Sequence, residues 1–188
     1  MRLAIFGGTF DPIHNAHLAI ARAAADRFNL DRILFVPAAH PPHKRGSTHA
    51  PFADRLRMIE LAIAGDERFE ASRLEEFTER SYSIDTIEWI RATLSAGDEL
   101  YFIIGADAFA EVRTWHRWQD VARAVVFIVV SRPGAEYEVP EGFRALRIDS
   151  VSIPISSSEI RRTLAAGGRP DVLPPPVFEY ALAHKLYV

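Results

Sequence analysis

Short apolar runs alternate along the chain with segments whose apolar residues recur every three or four positions. Arg2 to Phe6 reads as a buried strand ending at Gly7-Gly8, and Asn15 to Phe28 as a helix with Leu18, Ala21, Ala25 and Phe28 on one face. Arg32 to Pro37 is the next strand, and Ala38 to Pro51 is too polar and proline-broken for regular structure. Leu56, Ile59 and Ile63 mark a second amphipathic helix with Arg55, Arg57 and Glu60 outward, and Phe69 to Leu74 can form a short strand. Ser83 is placed to N-cap a helix carrying Ile84, Ile87, Ile90 and Leu94 and ended by Gly97, before a strand from Glu99 to Ile104 that stops at Gly105. Ala124 to Val130 contains VVFIVV, a run suited to a central strand covered on both faces. Arg144 to Ile148 reads as the last strand, Ser156 to Ala165 as a helix closed by Gly167-Gly168, and the prolines at 174 to 176 open a final helix ending near His184.

Strands separated by helices predict an α/β fold: a Rossmann-like, doubly wound parallel sheet with helices on both faces. With 188 residues and neither repeat nor linker, a single domain spanning 1–188 is expected. Such sheets bind ligands at the carboxyl ends of their strands. Attention therefore falls on Gly7 to His17, Ala38 to Lys44, Gly105 to Asp107 and Arg132.

Composition narrows the function. A chain with 48% hydrophobic and 25% charged residues should fold unaided, and the absence of cysteine excludes disulfides and thiolate chemistry and favours a cytoplasmic location. The apolar run at the N-terminus is too short for a signal sequence or a membrane span, so no membrane partner is expected. A net charge of -3 gives no global field for nucleic acid, so any grip on a polyanion must be local. Five of the seven histidines lie in the first 49 residues.

Two segments carry chemistry. Gly7-Gly8-Thr9-Phe10-Asp11-Pro12-Ile13-His14-Asn15-Ala16-His17 joins the first strand to the first helix. Its glycines allow backbone N–H groups to approach an anion, the helix start adds its dipole, and His14 and His17 share the first-turn face. An ordinary βα turn with two solvated histidines is the plainer alternative. Zinc held by His14/His17 and His40/His43 is weaker, because no acidic groups lie near to orient the rings. The second segment, Ser156-Ser157-Ser158-Glu159-Ile160-Arg161, puts three hydroxyls and an arginine at a helix start. Ser156 with Glu159 is also a capping box, and a capped helix can still hold an anion.

These segments occur in order with Pro41-Pro42-His43-Lys44, Ser81-Tyr82-Ser83, Phe102-Ile103-Ile104-Gly105-Ala106-Asp107, Thr114-Trp115 and Arg132-Pro133-Gly134. Over essentially its whole length the chain resembles the bacterial nicotinate-nucleotide adenylyltransferases of the HxGH nucleotidyltransferase superfamily. The resemblance implies that Gly8, Thr9, Phe10, His14, His17, Ser157, Ser158 and Arg161 hold ATP phosphates, with His14, His17 and Arg161 catalytic and Gly105 and Asp107 beside the adenosine. It implies that Trp115 stacks on a pyridine ring, that backbone amides of Ser83 and His116 receive its carboxylate, and that Lys44 and Arg132 approach phosphates, with His43 in the same loop. Ala16 stands where the superfamily has Gly, Ala38 and Ala39 where relatives often carry Asn, and His116 where Tyr is common.

The implied reaction joins ATP, carried with Mg2+, to nicotinate mononucleotide, giving nicotinate adenine dinucleotide and pyrophosphate in NAD biosynthesis. No protein-held metal is implied, and a homo-oligomer is compatible with the sequence. Adenylyltransferases acting on nicotinamide mononucleotide or phosphopantetheine, and an ATP-sensing module without chemistry, are the alternatives. No GxGxxG follows the first strand and no GxxxxGK[ST] occurs, which disfavours a dehydrogenase or a P-loop ATPase.

Overall fold

The computed structural model describes residues 1–40, 48–131, 137–149 and 156–188. Six parallel strands form one sheet in the order β3-β2-β1-β4-β5-β6. They are β1 (Arg2–Gly8), β2 (Arg32–Pro37), β3 (Phe69–Ala71), β4 (Glu99–Gly105), β5 (Val126–Ser131) and β6 (Ala145–Asp149). The chain enters at the centre, builds outward through β2 and β3, then crosses back to lay β4, β5 and β6 on the other side of β1. That reversal opens a crevice at the carboxyl ends of β1 and β4.

Alternation along each strand divides the core into two layers. Ala4, Phe6, Tyr101, Ile103, Ile128 and Val130 pack with side chains from α1 (Asn15–Phe28), α2 (Phe52–Ile63), α6 (Ser157–Ala165) and α7 (Pro175–Ala183). Leu3, Ile5, Leu100, Phe102, Phe127 and Val129 pack with α3 (Ser83–Arg91), α4 (Ala106–Ala110) and α5 (Trp118–Ala124). Covering both faces is what the continuous apolar strands require.

Several local expectations are corrected. Arg55 is not outward: it is 1% exposed, because it lies four residues before Ile59 and so shares its face. Ser83 is the first helical residue of α3 and Tyr82 its N-cap. That helix ends at Arg91 rather than reaching Gly97, since the Thr93 N–H and hydroxyl both turn back to the Ile90 carbonyl, at 3.0 and 2.7 Å. β3 stops at Ala71, and β5 begins at Val126 because Ala124 closes α5, a helix whose short apolar pattern is hidden between Trp118 and the VVFIVV run. Trp118 stacks on Phe143 at 5.8 Å, as a core-edge residue would.

Candidate active site

The turn after β1 is held open by packing. Phe10 has φ 48°, a left-handed conformation, and its buried ring lies so near Gly8 that a Cβ there would sit 3.0 Å away. Only glycine fits at position 8 without moving that ring. Behind the turn, the buried Arg55 donates to the carbonyls of Thr9 at 2.7 Å and Ala50 at 3.2 Å, tying the loop to the start of α2. The Asp11 carboxylate, 4% exposed, accepts the N–H groups of His49 and Ala50 at 2.7 and 3.1 Å and the Tyr187 hydroxyl at 2.7 Å.

His14 is the N-cap of α1 and His17 lies in its first turn, and their rings stack at 3.8 Å. The His14 N–H donates to Nδ1 of His17 at 3.2 Å, so the proton of the neutral His17 ring sits on Nε2. Nδ1 of His14 is buried with no hydrogen-bond partner among the described residues. Burial lowers the His14 pKa to about 4 and holds His17 well below its usual value, with the neighbouring His14 adding to the shift. Near pH 7 both rings are therefore neutral donors rather than fixed cations. Ala16, in the same turn, is only half-buried, which leaves room for its methyl.

The helix from the far end of the chain meets this loop. Ser156 caps α6 by accepting the Glu159 N–H at 3.2 Å, and Glu159 returns a bond to the Ser156 N–H at 3.2 Å, so the predicted capping box is present. Arg161 donates to the Asp11 carbonyl at 2.7 Å and to Ser158 Oγ at 3.1 Å, while the Ser157 hydroxyl donates to the Pro12 carbonyl at 3.3 Å. The two segments converge as one cluster.

On the other side of the glycine turn, the β1/β4 crevice encloses about 340 Å³, walled by Gly8, Thr9, Gly105, Ser83, Trp115 and His116 among others. Ser83 opens α3, where the first N–H groups have no intrahelical acceptor. The Trp115 indole stands edge-on to Phe102 at 5.8 Å, and the His116 ring lies against Tyr82 at 4.5 Å. Arg117 pairs with Glu88 of α3 at 2.7 Å, joining the 115–117 turn to the helix that carries Ser83. Asp107 is exposed in the first turn of α4 and does not cap it, since Gly105 holds the N-cap position. His43, Lys44 and Arg132 lie outside the described residues.

The sequence patterns did not single out Glu75, which lines the crevice at 7% exposure. Its Oε1 accepts the Thr86 hydroxyl at 2.7 Å, and Oε2 is buried with no hydrogen-bond partner among the described residues. Burial raises its pKa, against partial relief from the nearby Ser81 and Thr86 hydroxyls and Ala39 backbone. Among the described residues no cluster of three or more His, Cys, Asp or Glu could hold a metal ion, and no helix is long and apolar enough to cross a membrane.

The crevice at the strand reversal, beside a glycine turn and two converging helix starts, defines a nucleotide-binding α/β protein, and residues 5–163 match the family described as Cytidylyltransferase-like. A protein of Solibacter usitatus named "Probable nicotinate-nucleotide adenylyltransferase" is 71% identical over 100% of both chains. A Pelobacter propionicus protein of the same name is 41% identical over 100% of this chain and 98% of its own. The chain belongs to the nicotinate-nucleotide adenylyltransferase family. A Plasmodium falciparum nicotinic acid mononucleotide adenylyltransferase, in a structure complexed with NaAD, shares the fold with a TM-score of 0.81 at 21% identity, over 99% of this chain and 97% of that one.

Proposed function

We propose that the chain, acting as one domain, transfers the adenylyl group of magnesium-bound ATP to the phosphate of nicotinate mononucleotide. An oxygen of the mononucleotide phosphate attacks the α-phosphorus, the bond to the β-bridging oxygen breaks, and pyrophosphate leaves. A phosphate monoester is largely dianionic near neutral pH, so the nucleophile needs no general base. Alignment and charge stabilisation remain for the protein to supply.

The observation that carries this reading is the meeting of His14, His17 and Arg161 at one loop whose other side walls the Trp115 crevice. In it, the Gly8–Phe10 backbone, His17 through Nε2–H, Ser157, Ser158 and Arg161 receive the triphosphate, and the unpartnered His14 nitrogen gains an acceptor. Asp107 and Gly105 take the adenosine side. Trp115 stacks on the pyridine ring, and the Ser83 and His116 amides face its carboxylate. His43, Lys44 and Arg132 approach the mononucleotide. The donors at the loop are N–H and O–H groups suited to phosphate oxygens, so magnesium enters with its triphosphate as part of the substrate.

Pyrophosphate release is the test, with MgATP alone and with nicotinate mononucleotide, nicotinamide mononucleotide or phosphopantetheine. Release dependent on the nicotinate compound, and fastest with it, is expected. Equal rates with another acceptor would reassign the substrate, and ATP binding without release would make the chain a sensor.

A further inference from the structure

We propose that Tyr187 is a positioning residue for the phosphate-binding loop, acting through the Asp11 carboxylate; the inference rests on the function proposed above. Tyr187 lies 176 residues from Asp11 in sequence, yet its hydroxyl donates to Asp11 Oδ1 at 2.7 Å. After α7 the chain must double back to make that contact. Lys185 and Tyr187 both adopt left-handed conformations, with φ 52° and 66°, although neither is glycine. The reversal is fastened by the Lys185 N–H to the Leu182 carbonyl at 3.1 Å and the Leu186 N–H to the Ala181 carbonyl at 2.8 Å. Two side-chain-bearing residues in that region of backbone space carry a conformational cost, which calls for a compensating contact.

Asp11 is where such a contact acts on chemistry. Its carbonyl takes Arg161, the next carbonyl takes Ser157, and two residues further on stands His14. Its carboxylate takes two backbone N–H groups from residues 49 and 50 and the tyrosine hydroxyl. This carboxylate therefore anchors the turn whose carbonyls engage Arg161 and Ser157 to residues 49 and 50 and to the end of the chain. Burial and the adjacent carboxylate hold the Tyr187 proton firmly on its oxygen, although Arg161 and Arg55 lie close enough to oppose that, so the hydroxyl stays a donor. The mononucleotide crevice has no part of Tyr187 in its wall.

Loss of this bond loosens the loop without removing any group that touches substrate. Small misplacements weigh on the transition state more than on ground-state binding, so the effect belongs in kcat. The test compares Tyr187→Phe with Tyr180→Phe, whose hydroxyl donates from α7 to Asp54 of α2 at 2.8 Å rather than to Asp11. Kinetics are measured by pyrophosphate release from the full chain, with thermal unfolding in parallel. Tyr187→Phe is expected to lower kcat about tenfold, with KM for both substrates within about twofold, while Tyr180→Phe keeps kcat and both variants unfold near the parent temperature.

The proposal is overturned by a Tyr187→Phe kcat within about twofold of the parent, by a change confined to KM, or by a loss that Tyr180→Phe reproduces. Failure of Tyr187→Phe to fold would also overturn it, because the hydroxyl would then be serving stability. Should the parent itself release no pyrophosphate, the adenylyltransferase reading falls instead, and the two failures are distinct.

Discussion

The Arg161 guanidinium donates to the main-chain carbonyl of Asp11 at 2.7 Å, across 150 residues of sequence. A helix from one end of the chain is thereby fixed against a loop from the other, and the guanidinium's second nitrogen is held toward Ser158 at 3.1 Å. Arg161→Lys keeps the charge but loses the fork that makes both bonds. It is expected to lower kcat/KM for ATP by roughly 10²-fold and to cost about 1–2 kcal/mol of stability. Steady-state kinetics and urea unfolding check the two effects, and unchanged kinetics would separate the arginine from phosphate binding.

His17 presents Nε2–H because its other nitrogen is committed to the His14 backbone. Replacing it with alanine removes one directed donor which, on the proposed function, faces the charge that builds in the reaction. Turnover is expected to fall by roughly 10²–10³-fold, with ATP affinity nearly unchanged. Titration calorimetry beside pyrophosphate release checks this. Equal losses in binding and turnover would make His17 a ground-state contact only.

The depressed His14 value has a defined sign in stability. The folded-state pKa of about 4 lies below the ordinary 6.5, so the folded protein binds fewer protons than the unfolded chain between those values. Stability from this group is complete above the ordinary value and is lost as pH falls toward the folded one. Between about pH 7.5 and 4.5 the loss is roughly 2–3 kcal/mol, and His14→Gln should flatten the profile by that amount. Urea midpoints at the two pH values measure it, and parallel profiles would show that burial of the imidazole is not the cause.

Trp115 is half-buried at the margin of the core, edge-on to Phe102, so its removal should spare the fold. Base–aromatic stacking contributes ~1–3 kcal/mol, which places the expected rise in KM for nicotinate mononucleotide upon Trp115→Ala at roughly 10- to 100-fold. KM for ATP should not follow. A parallel rise in both would assign the indole to packing.

The order and kind of the elements were legible because apolar periodicity is strong where strands are covered on both faces. Arg32 to Pro37 and Asn15 to Phe28 match the folded limits of β2 and α1. The joining of the glycine turn to the α6 serines came from taking the two segments together and from the family resemblance, since singly the first reads as an ordinary βα turn and the second as a capping box. Arg55 was misread because three apolar residues define a face only loosely, and a charged side chain sharing it looks like a boundary. Glu75, with one oxygen on Thr86, and Tyr187, with its hydroxyl on Asp11, owe their environments to contacts between distant parts of the chain, which no local pattern encodes.

His17 is ringed by aromatic faces: Phe10 at 5.0 Å and Phe6 at 6.0 Å meet it edge-on, and His14 lies stacked beneath it. Ring currents from these neighbours displace the imidazole's carbon-bound proton signals from their free-solution positions. The loop thus carries its own spectroscopic reporter, one that needs no attached label to register a change in the packing of these rings.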